Sequence, residues 1–255
     1  MYKMNLLVFF LSLSVFPQKY DLKWAEEFDG PEINTETWNF EKGFAKNNEQ
    51  QFYTSENKNA RIENGMLIIE AHKEQFQKGD YTSARINTLN KKHFKYGRIE
   101  VRAKLPEGNG TWPAIWMLGK NHVTKGYPAC GEVDIMEHVG KTPGEINSSV
   151  HYPDSNNIRM NGVTQNFSLP DSEDGFYTYA IEWDKTNITY FINDIEYFTF
   201  NLDEANRKGR KNIFRKPFYL ILNLALGGKW AGEIDDTIFP ARFYVDFVRY
   251  YQLKD

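Results

Sequence analysis

Hydrophobic and polar residues alternate with a period of two over most of this chain, and no other feature constrains the fold as strongly. Between positions 98 and 105 the two kinds of side chain take turns: Ile99, Val101, Ala103 and Leu105 alternate with Arg98, Glu100, Arg102 and Lys104. A period of two predicts a strand with one face on a core and the other face in water. Similar runs occupy residues 66–71, 178–183, 188–192, 218–226 and 242–251.

Short turn sequences separate the predicted strands. They are Glu63-Asn64-Gly65, Pro106-Glu107-Gly108-Asn109-Gly110, Asn193-Asp194 and Gly227-Gly228. No stretch longer than about ten residues has a helical pattern, although residues 202–208 suit a short helical turn. Because repeats, low-complexity tracts and linkers are absent from the sequence, we predict an all-β fold, a β-sandwich in a single domain.

The run 218–226 indicates what one sheet is used for. Phe218 and the leucines at every second position after it point one way, into a core. Tyr219, Ile221, Asn223 and Ala225 point the other way. Two interpretations of this second face stay open. It lines a concave groove, or it packs against a covering loop.

The first residues do not resemble the rest of the chain. Lys3 precedes an apolar run over residues 6–16, which is shorter than the roughly 20 residues that a membrane-spanning helix needs. A charged start and a short apolar run predict a signal peptide over residues 1–17, cleaved near Ser14 or Pro17. The single domain then covers residues 18–255, and the protein is secreted or periplasmic. The alternative is an ordinary buried strand or helix.

Composition excludes several classes of partner. The net charge of −3 gives no basic excess, which argues against nucleic acid. No later segment is apolar enough to cross a membrane, so we expect no membrane partner. Cys130 is the only cysteine. It cannot form an internal disulfide, and we expect it to be a small buried hydrophobic residue.

The stretch Gly131-Glu132-Val133-Asp134-Ile135-Met136-Glu137 carries three acids. On a regular strand Glu132 and Asp134 share one face, and Glu137 falls on the other. A β-bulge at Ile135-Met136 adds one residue and returns Glu137 to the face of the first two acids. Without the bulge, Met136 faces water and Glu137 faces the core. We therefore predict the bulge.

Three acids on one strand face repel one another, and no cation lies between them in the sequence. Retaining glycosidases need two carboxyl groups about 5–5.5 Å apart, so Glu132 fits a nucleophile and Glu137 a general acid/base, with Asp134 between them. Negative neighbours are expected to raise the pKa of Glu137 and to keep it protonated. Two alternatives remain: a calcium or magnesium site built from the three acids, and a solvated acidic face.

The same stretch resembles the E-x-D-x-x-E signature of glycoside hydrolase family sixteen, and the extra Met136 resembles its laminarinase-like members. Further stretches resemble the family in the right order: Trp24-Ala25-Glu26-Glu27-Phe28-Asp29-Gly30, Asn47-Asn48-Glu49-Gln50-Gln51-Phe52-Tyr53, Thr82-Ser83-Ala84-Arg85, Trp112-Pro113-Ala114-Ile115-Trp116-Met117 and Asn223-Leu224-Ala225-Leu226-Gly227-Gly228.

This resemblance implies a jelly-roll sandwich of two antiparallel sheets with a substrate groove across the concave sheet. It implies an enzyme that hydrolyses internal β-1,3 linkages of a glucan such as laminarin, with Glu132, Asp134 and Glu137 as the catalytic residues. We expect the protein to be a monomer. The resemblance also implies six sugar-binding residues: Asn48, Arg85, Trp112, Trp116, His151 and Trp230. No cofactor is expected for catalysis. One structural calcium is expected on the convex side, at the backbone carbonyls of Glu27 and Gly65 and the carboxylate of Asp246, which suits the oxygen ligands calcium prefers.

Three other functions stay open on the same residues. The enzyme could cut mixed-linkage glucan, or a galactan in the manner of agarases and carrageenases. A retaining enzyme can also pass its glycosyl intermediate to a sugar instead of water. A non-catalytic β-glucan recognition protein on the same scaffold is the third, and the presence of both glutamates argues against it.

Overall fold

A computed structural model describes residues 19–45, 47–154, 160–169 and 175–254. The predicted signal peptide lies outside these residues, so the boundary at residue 17 stays a prediction. Within the described ranges, no helix is both long and apolar enough to cross a membrane.

The chain forms two large β-sheets. The one we name the backing sheet has eleven strands: β1 (Tyr20–Glu26), β3 (Gly43–Phe44), β4 (Gln51–Tyr53), β5 (Ala60–Glu63), β6 (Met66–Phe76), β7 (Gly79–Ser83), β9 (Gly97–Lys104), β14 (Phe176–Trp183), β15 (Asn187–Ile192), β16 (Ile195–Asn201) and β18 (Ala241–Leu253). Their main order is β16-β15-β14-β9-β18-β6-β7-β4-β3, with β1 paired to β18 and β5 to β6.

The second sheet, the groove sheet, has seven strands: β2 (Asn39–Phe40), β8 (Arg85–Asn87), β10 (Thr111–Gly119), β11 (Glu132–Glu137), β12 (Glu145–Pro153), β13 (Met160–Ser168) and β17 (Phe218–Leu226). Their order is β13-β12-β11-β10-β17-β8-β2, and all the pairings in this sheet are antiparallel. The central position of β10, β11 and β17 places the residues of these strands at the middle of the sheet face.

Helical structure among the described residues is confined to single turns between strands. These are α1 (His122–Lys125), α2 (Gly228–Ala231) and three 3₁₀ turns at Leu202–Ala205, Ile213–Arg215 and Asp236–Ile238. The first 3₁₀ turn confirms the short helical turn predicted within residues 202–208. At two hairpin tips, non-glycine residues adopt positive φ: Asn64 at 54° before Gly65 at 72°, and Asn193 at 47° before Asp194 at 66°. Asparagine, aspartate and glycine suit such two-residue turns.

The core lies between the two sheets, as the alternation predicts. Phe218, Leu220, Leu222, Leu224 and Leu226 of β17 are fully buried and join the core of backing-sheet residues such as Val101 and Phe243. Burying each large apolar side chain contributes about 1.5–3 kcal/mol to folding. Each of the two interpretations of the second face of β17 holds for one half of the strand. Tyr219 and Ile221 pack with Leu118 and Cys130 in a small second cluster, whereas Asn223 and Ala225 line a groove.

One expectation about β9 is wrong. Its polar face does not lie in water at Arg98 and Glu100, whose residues are only 4 % and 3 % exposed. The Arg98 guanidinium forms ion pairs with Glu100 at 2.6 Å, Asp194 at 2.6 Å and Glu182 at 3.3 Å. Because these partners compensate the charge, a polar face can be covered, and the period of two alone cannot distinguish a wet face from a covered ionic one.

Candidate active site

A groove of about 560 Å³ crosses the groove sheet. Its floor comes from the outward-facing residues of β10, β11, β12 and β17, and its walls come from the loops that follow β3 and β17 and from the segment between β10 and β11. Glu132, Asp134 and Glu137 all line it. The sequence-predicted acids therefore face one common space.

The predicted bulge in β11 is confirmed by the pairing with β10. Asp134 pairs with Trp116, whereas Met136 pairs with Ile115, so Ile135 has no partner on β10. The pairing with β12 shifts over the same residues, between Asp134 and Glu137. Ile135 and Met136 are both buried in the core. The extra residue thus brings Glu137 to the groove without exposing an apolar side chain.

Each acid has a distinct set of contacts. The indole Nε1 of Trp112 donates a hydrogen bond of 3.0 Å to Oε1 of Glu137. Nε2 of His151 lies 3.2 Å from Oδ2 of Asp134 and 3.9 Å from Oε1 of Glu132. His151 lies opposite Glu132 on β12. The histidine therefore faces two of the acids, and the tryptophan holds the third.

Burial is the largest influence on these carboxyl groups. It raises the pKa of Glu137 above its ordinary value, Glu49 raises it further, and the Trp112 hydrogen bond and the nearby His151 oppose the rise. Burial and then the negative charge of Glu137 raise the pKa of Asp134. Burial and then Asp134 raise the pKa of Glu132, while His151 and Arg85 oppose the rise. The pKa of Glu137 is raised, as the sequence predicts, but burial contributes more to this rise than the negative neighbours do.

Aromatic and cationic side chains predicted to bind sugar lie along the same groove. Trp112 and Trp116 both line it, four residues apart on one face of β10. Trp230 meets Trp112 edge to face, with ring centroids 5.1 Å apart. Nε1 of Trp116 donates to Oδ1 of Asn223 at 2.7 Å, and the guanidinium of Arg85 lies 4.6 Å from the centre of the Trp116 ring. These contacts fix the ring planes that a sugar would meet.

The loop after β3 lines the groove with residues other than the predicted Asn48. Asn47 and Glu49 line the groove, whereas Asn48 between them does not. Asn47 and Asn48 have positive φ values of 68° and 59°. Glu41, Glu49 and Tyr127 also line the groove and were missed from the sequence. Glu49 lies inside the quoted stretch Asn47–Tyr53, so the signal for it was present.

The candidate metal positions fall in two places. Strand pairing brings the predicted calcium positions near one another, since Asp246 lies between Val245, paired with Leu67, and Val248, paired with Glu26. Oδ2 of Asp246 accepts a hydrogen bond of 2.8 Å from Arg102, and Arg249 holds the carboxylate of Glu27 at 2.7 and 2.9 Å. The backbone carbonyls of Glu27 and Gly65 would have to supply the other ligands.

In the groove, ligand atoms of Glu132, Asp134 and His151 lie within 4.8 Å of one another. This is the one such group among the described residues, and it contains His151 in place of Glu137. It therefore differs from the three-acid metal site considered as an alternative. A half-buried histidine and two carboxylates in a sugar-sized groove also suit acid–base chemistry without a metal.

Comparison with known proteins gives consistent matches over most of the chain. Residues 47–249 match the sequence profile of the family described as Glycosyl hydrolases family 16. A β-glucanase from Rhodothermus marinus is 39% identical over 244 residues, covering 91% of this chain and 85% of the relative. The laminarinase catalytic domain from Thermotoga maritima matches with a TM-score of 0.84 and 40% identity, covering 93% of this chain and 100% of that chain.

A further structure comes from the endo-acting O-glycanases that prominent members of the human gut microbiota express to initiate mucin breakdown. It matches with a TM-score of 0.87 and 36% identity, covering 94% of this chain and 93% of that chain. The same architecture and a similar level of identity therefore occur in proteins whose substrates differ.

Proposed function

The chain belongs to glycosyl hydrolases family 16, and on that premise we propose that it binds a β-1,3-glucan such as laminarin and hydrolyses internal linkages with retention of configuration. It is a glycoside hydrolase with the two-sheet jelly-roll sandwich of that family. The observation that carries the proposal is the bulged strand β11, which directs three acids into one groove.

In the first step, Glu132 attacks the anomeric carbon and Glu137 gives its proton to the leaving oxygen, so that the glycosidic bond breaks as the glycosyl–enzyme ester forms. The Trp112 indole N–H donates to Oε1 of Glu137. Because this contact occupies Oε1, the other carboxyl oxygen, Oε2, is left to carry the proton that Glu137 gives to the substrate. Burial raises the pKa of Glu137 and so favours the protonated form that an acid needs, because it disfavours the charged form.

In the second step, Glu137 removes a proton from water and the water oxygen attacks the anomeric carbon, which releases Glu132. The negative charge of Glu132 is absent from the ester, so the pKa of Glu137 falls when a base is needed. Asp134 lies between the two glutamates, and His151 faces both Asp134 and Glu132. We infer that this pair holds the nucleophile in position.

Three tryptophans support binding of a sugar chain. Trp112, Trp116 and Trp230 line the groove next to the acids, and indole faces suit the C–H faces of pyranose rings. Arg85 supplies donors for sugar hydroxyls beside Trp116. Asn48 stays a predicted sugar contact, although its neighbours Asn47 and Glu49 are the residues of that loop that line the groove.

The test is the release of reducing ends from laminarin, lichenan, agarose and carrageenan by the wild type, by Glu132→Ser and by Glu196→Ser, an exposed acid on β16 of the backing sheet. We expect cleavage of laminarin, alone or with lichenan, by the wild type and by Glu196→Ser, and its loss in Glu132→Ser. Cleavage of agarose or carrageenan alone would keep the mechanism and overturn the substrate. A folded protein that binds laminarin and cleaves nothing would overturn the enzyme assignment in favour of a recognition protein.

We also propose that the protein is exported and monomeric. The charged start and short apolar run of residues 1–17 support export. The amino-terminal sequence of the exported protein tests it, because a mature protein that still begins at Met1 would contradict cleavage. Light scattering tests the monomer.

A structural calcium at Glu27, Gly65 and Asp246 is the remaining proposal about ligands. Oxygen donors from two backbone carbonyls and a carboxylate suit calcium, and the Arg102 hydrogen bond to Asp246 is the competing interaction. The protein should lose thermal stability when a chelator is added, and Asp246→Asn should remove this sensitivity. Equal melting temperatures with and without the chelator would exclude the ion.

A further inference from the structure

A fourth carboxylate, Glu49, lies in the groove and has no part in the mechanism above. It lines the groove on the loop after β3, and its backbone pairs with Gly227, next to the turn that carries Trp230. It lies near enough to Glu137 for its charge to raise the pKa of that acid. Glu49 is therefore close to the chemistry, on the side of the groove formed by the loops.

The carboxylate of Glu49 is held from one side. Oε2 accepts hydrogen bonds from Nε2 of Gln51 at 2.8 Å and from the hydroxyl of Tyr53 at 3.4 Å. Among the described residues, Oε1 receives only the side-chain amide of Asn47, at 3.5 Å. Gln51 and Tyr53 are themselves buried at 0 % and 2 % exposure. This rigid support fixes the orientation of the carboxylate and leaves acceptor capacity on Oε1.

The charge of Glu49 is not used in an ion pair within the described part of the chain. Among the described residues, no lysine or arginine lies within ion-pair distance of it; the nearby cation is Arg85, whose Nε is instead 3.2 Å from Glu41. Burial raises the pKa of Glu49 accordingly. The amide oxygen of a glutamine could accept the hydrogen bonds from Gln51 and Tyr53 without that cost, because burying an unpaired charge is unfavourable. A partly buried acid at this position therefore points to a donor that arrives with the substrate.

The rest of the groove determines what kind of donor fits. Five acids line its described part: Glu41, Glu49, Glu132, Asp134 and Glu137. Among basic residues only Arg85, His122 and His151 do so. Such a surface repels anions and accepts hydrogen bonds from hydroxyl groups. A neutral, unsubstituted sugar chain matches it, and a sulfated chain does not.

We propose that Glu49 is a sugar-binding residue that accepts a hydrogen bond from a free hydroxyl of the bound glucan and excludes sugars with a sulfate at that position. Gln51 and Tyr53 act as positioning residues for its carboxylate. The inference rests on the proposed function and narrows it to neutral glucans. It predicts that sulfated galactans are poor substrates for this groove.

The test measures binding in a Glu132→Ser background, where substrate is not consumed. Laminarihexaose and a sulfated laminarin oligosaccharide are titrated calorimetrically at pH 7 against that protein and against the same protein with Glu49→Gln. An exposed acid, Glu107→Gln in the loop after β9, is the matched control. Loss of a charge-assisted hydrogen bond should raise the Kd for laminarihexaose about 10- to 100-fold. The Kd for the sulfated oligosaccharide, divided by the Kd for laminarihexaose, should fall at least threefold.

Two results would overturn the inference. One is an unchanged Kd for laminarihexaose in Glu49→Gln. The other is an equal rise of both Kd values, since a purely structural role weakens both sugars alike. If Glu49→Gln does not fold, Glu49→Asp replaces it: withdrawing the carboxylate by one methylene should weaken laminarihexaose and keep the exclusion of sulfate. A wild type that neither binds nor cleaves laminarin would instead defeat the proposed function, so the two failures are distinct.

Discussion

Replacing Trp112 by phenylalanine removes the indole N–H that holds Glu137 and leaves an aromatic ring in the groove. The lost bond is 3.0 Å long and ends on Oε1 of Glu137. It favours the ionised acid and opposes the rise of its pKa that burial causes. Its removal therefore raises the pKa of Glu137 further.

The size of the effect follows from the difference between two kinds of hydrogen bond. A bond to a charged group contributes about 1.5–3 kcal/mol, and one between neutral groups about 0.5–1.5 kcal/mol. The indole thus favours the carboxylate by about 1 kcal/mol. Since Glu137 must be protonated to act as the acid, activity is lost as pH rises through its pKa. The alkaline limb of kcat/KM against pH should move up by about 0.5–1 pH unit.

The assay is the pH dependence of kcat/KM on laminarin for the wild type, Trp112→Phe and Trp116→Phe. Trp116→Phe makes the same chemical change on the same strand, but its indole donates to Asn223 at 2.7 Å rather than to an acid. Its alkaline limb should stay where the wild type has it. Equal movement of the limb in both variants, or no movement in Trp112→Phe, would refute the role of this hydrogen bond.

Three further results are expected. Burial and Glu137 raise the pKa of Asp134. A raised folded-state pKa contributes stability that is present at pH values below the unfolded-state pKa and is lost as pH rises through the folded-state pKa. Asp134→Asn should therefore have a higher melting temperature than the wild type at pH 8 and the same melting temperature at pH 3. A gain in melting temperature at pH 3 as large as the gain at pH 8 would contradict this. Arg98→Met leaves Glu100 buried without its 2.6 Å partner and should cost about 3–5 kcal/mol in urea unfolding, partly recovered by adding Glu100→Gln. A Cβ at Gly162 would lie 2.6 Å from Nδ1 of His151, so Gly162→Ala should displace the ring and lower kcat about 10- to 100-fold with little change in melting temperature; an unchanged kcat would show that the ring position is unimportant.

Strands and the bulge in β11 could be predicted from the sequence because apolar parity determines both. Ile135 and Met136 cannot both face the core on a regular strand, so an extra residue is required, and the pairing with β10 places it there. The sandwich follows for the same reason. The ionic cover over Arg98 and Glu100 does not, because its partners are far away in the sequence: Glu182 lies on the neighbouring strand β14 and Asp194 in the turn between β15 and β16.

The loop after β3 shows where prediction from apolar parity fails. Strand parity assigns faces only where the backbone is extended. Asn47 and Asn48 have positive φ, which reverses the direction of the chain and removes any fixed relation between sequence position and face. The family resemblance therefore points to the stretch Asn47–Tyr53 but not to Glu49 as the side chain beside the acids.

The outer edge of the groove sheet bears on how the protein behaves at high concentration. Among the described strands β13 forms one edge of this sheet and the two-residue β2 the other, and the nine residues of β13, Met160–Ser168, include no charged residue and no proline. Edge strands offer unpaired backbone groups to other chains, and natural proteins usually block them with lysine, proline or a bulge. Storage of concentrated protein should therefore produce edge-to-edge association here first. A single lysine at the exposed position Gln165 is the smallest change that protects a stock solution, and unchanged association in Gln165→Lys would place the contact elsewhere.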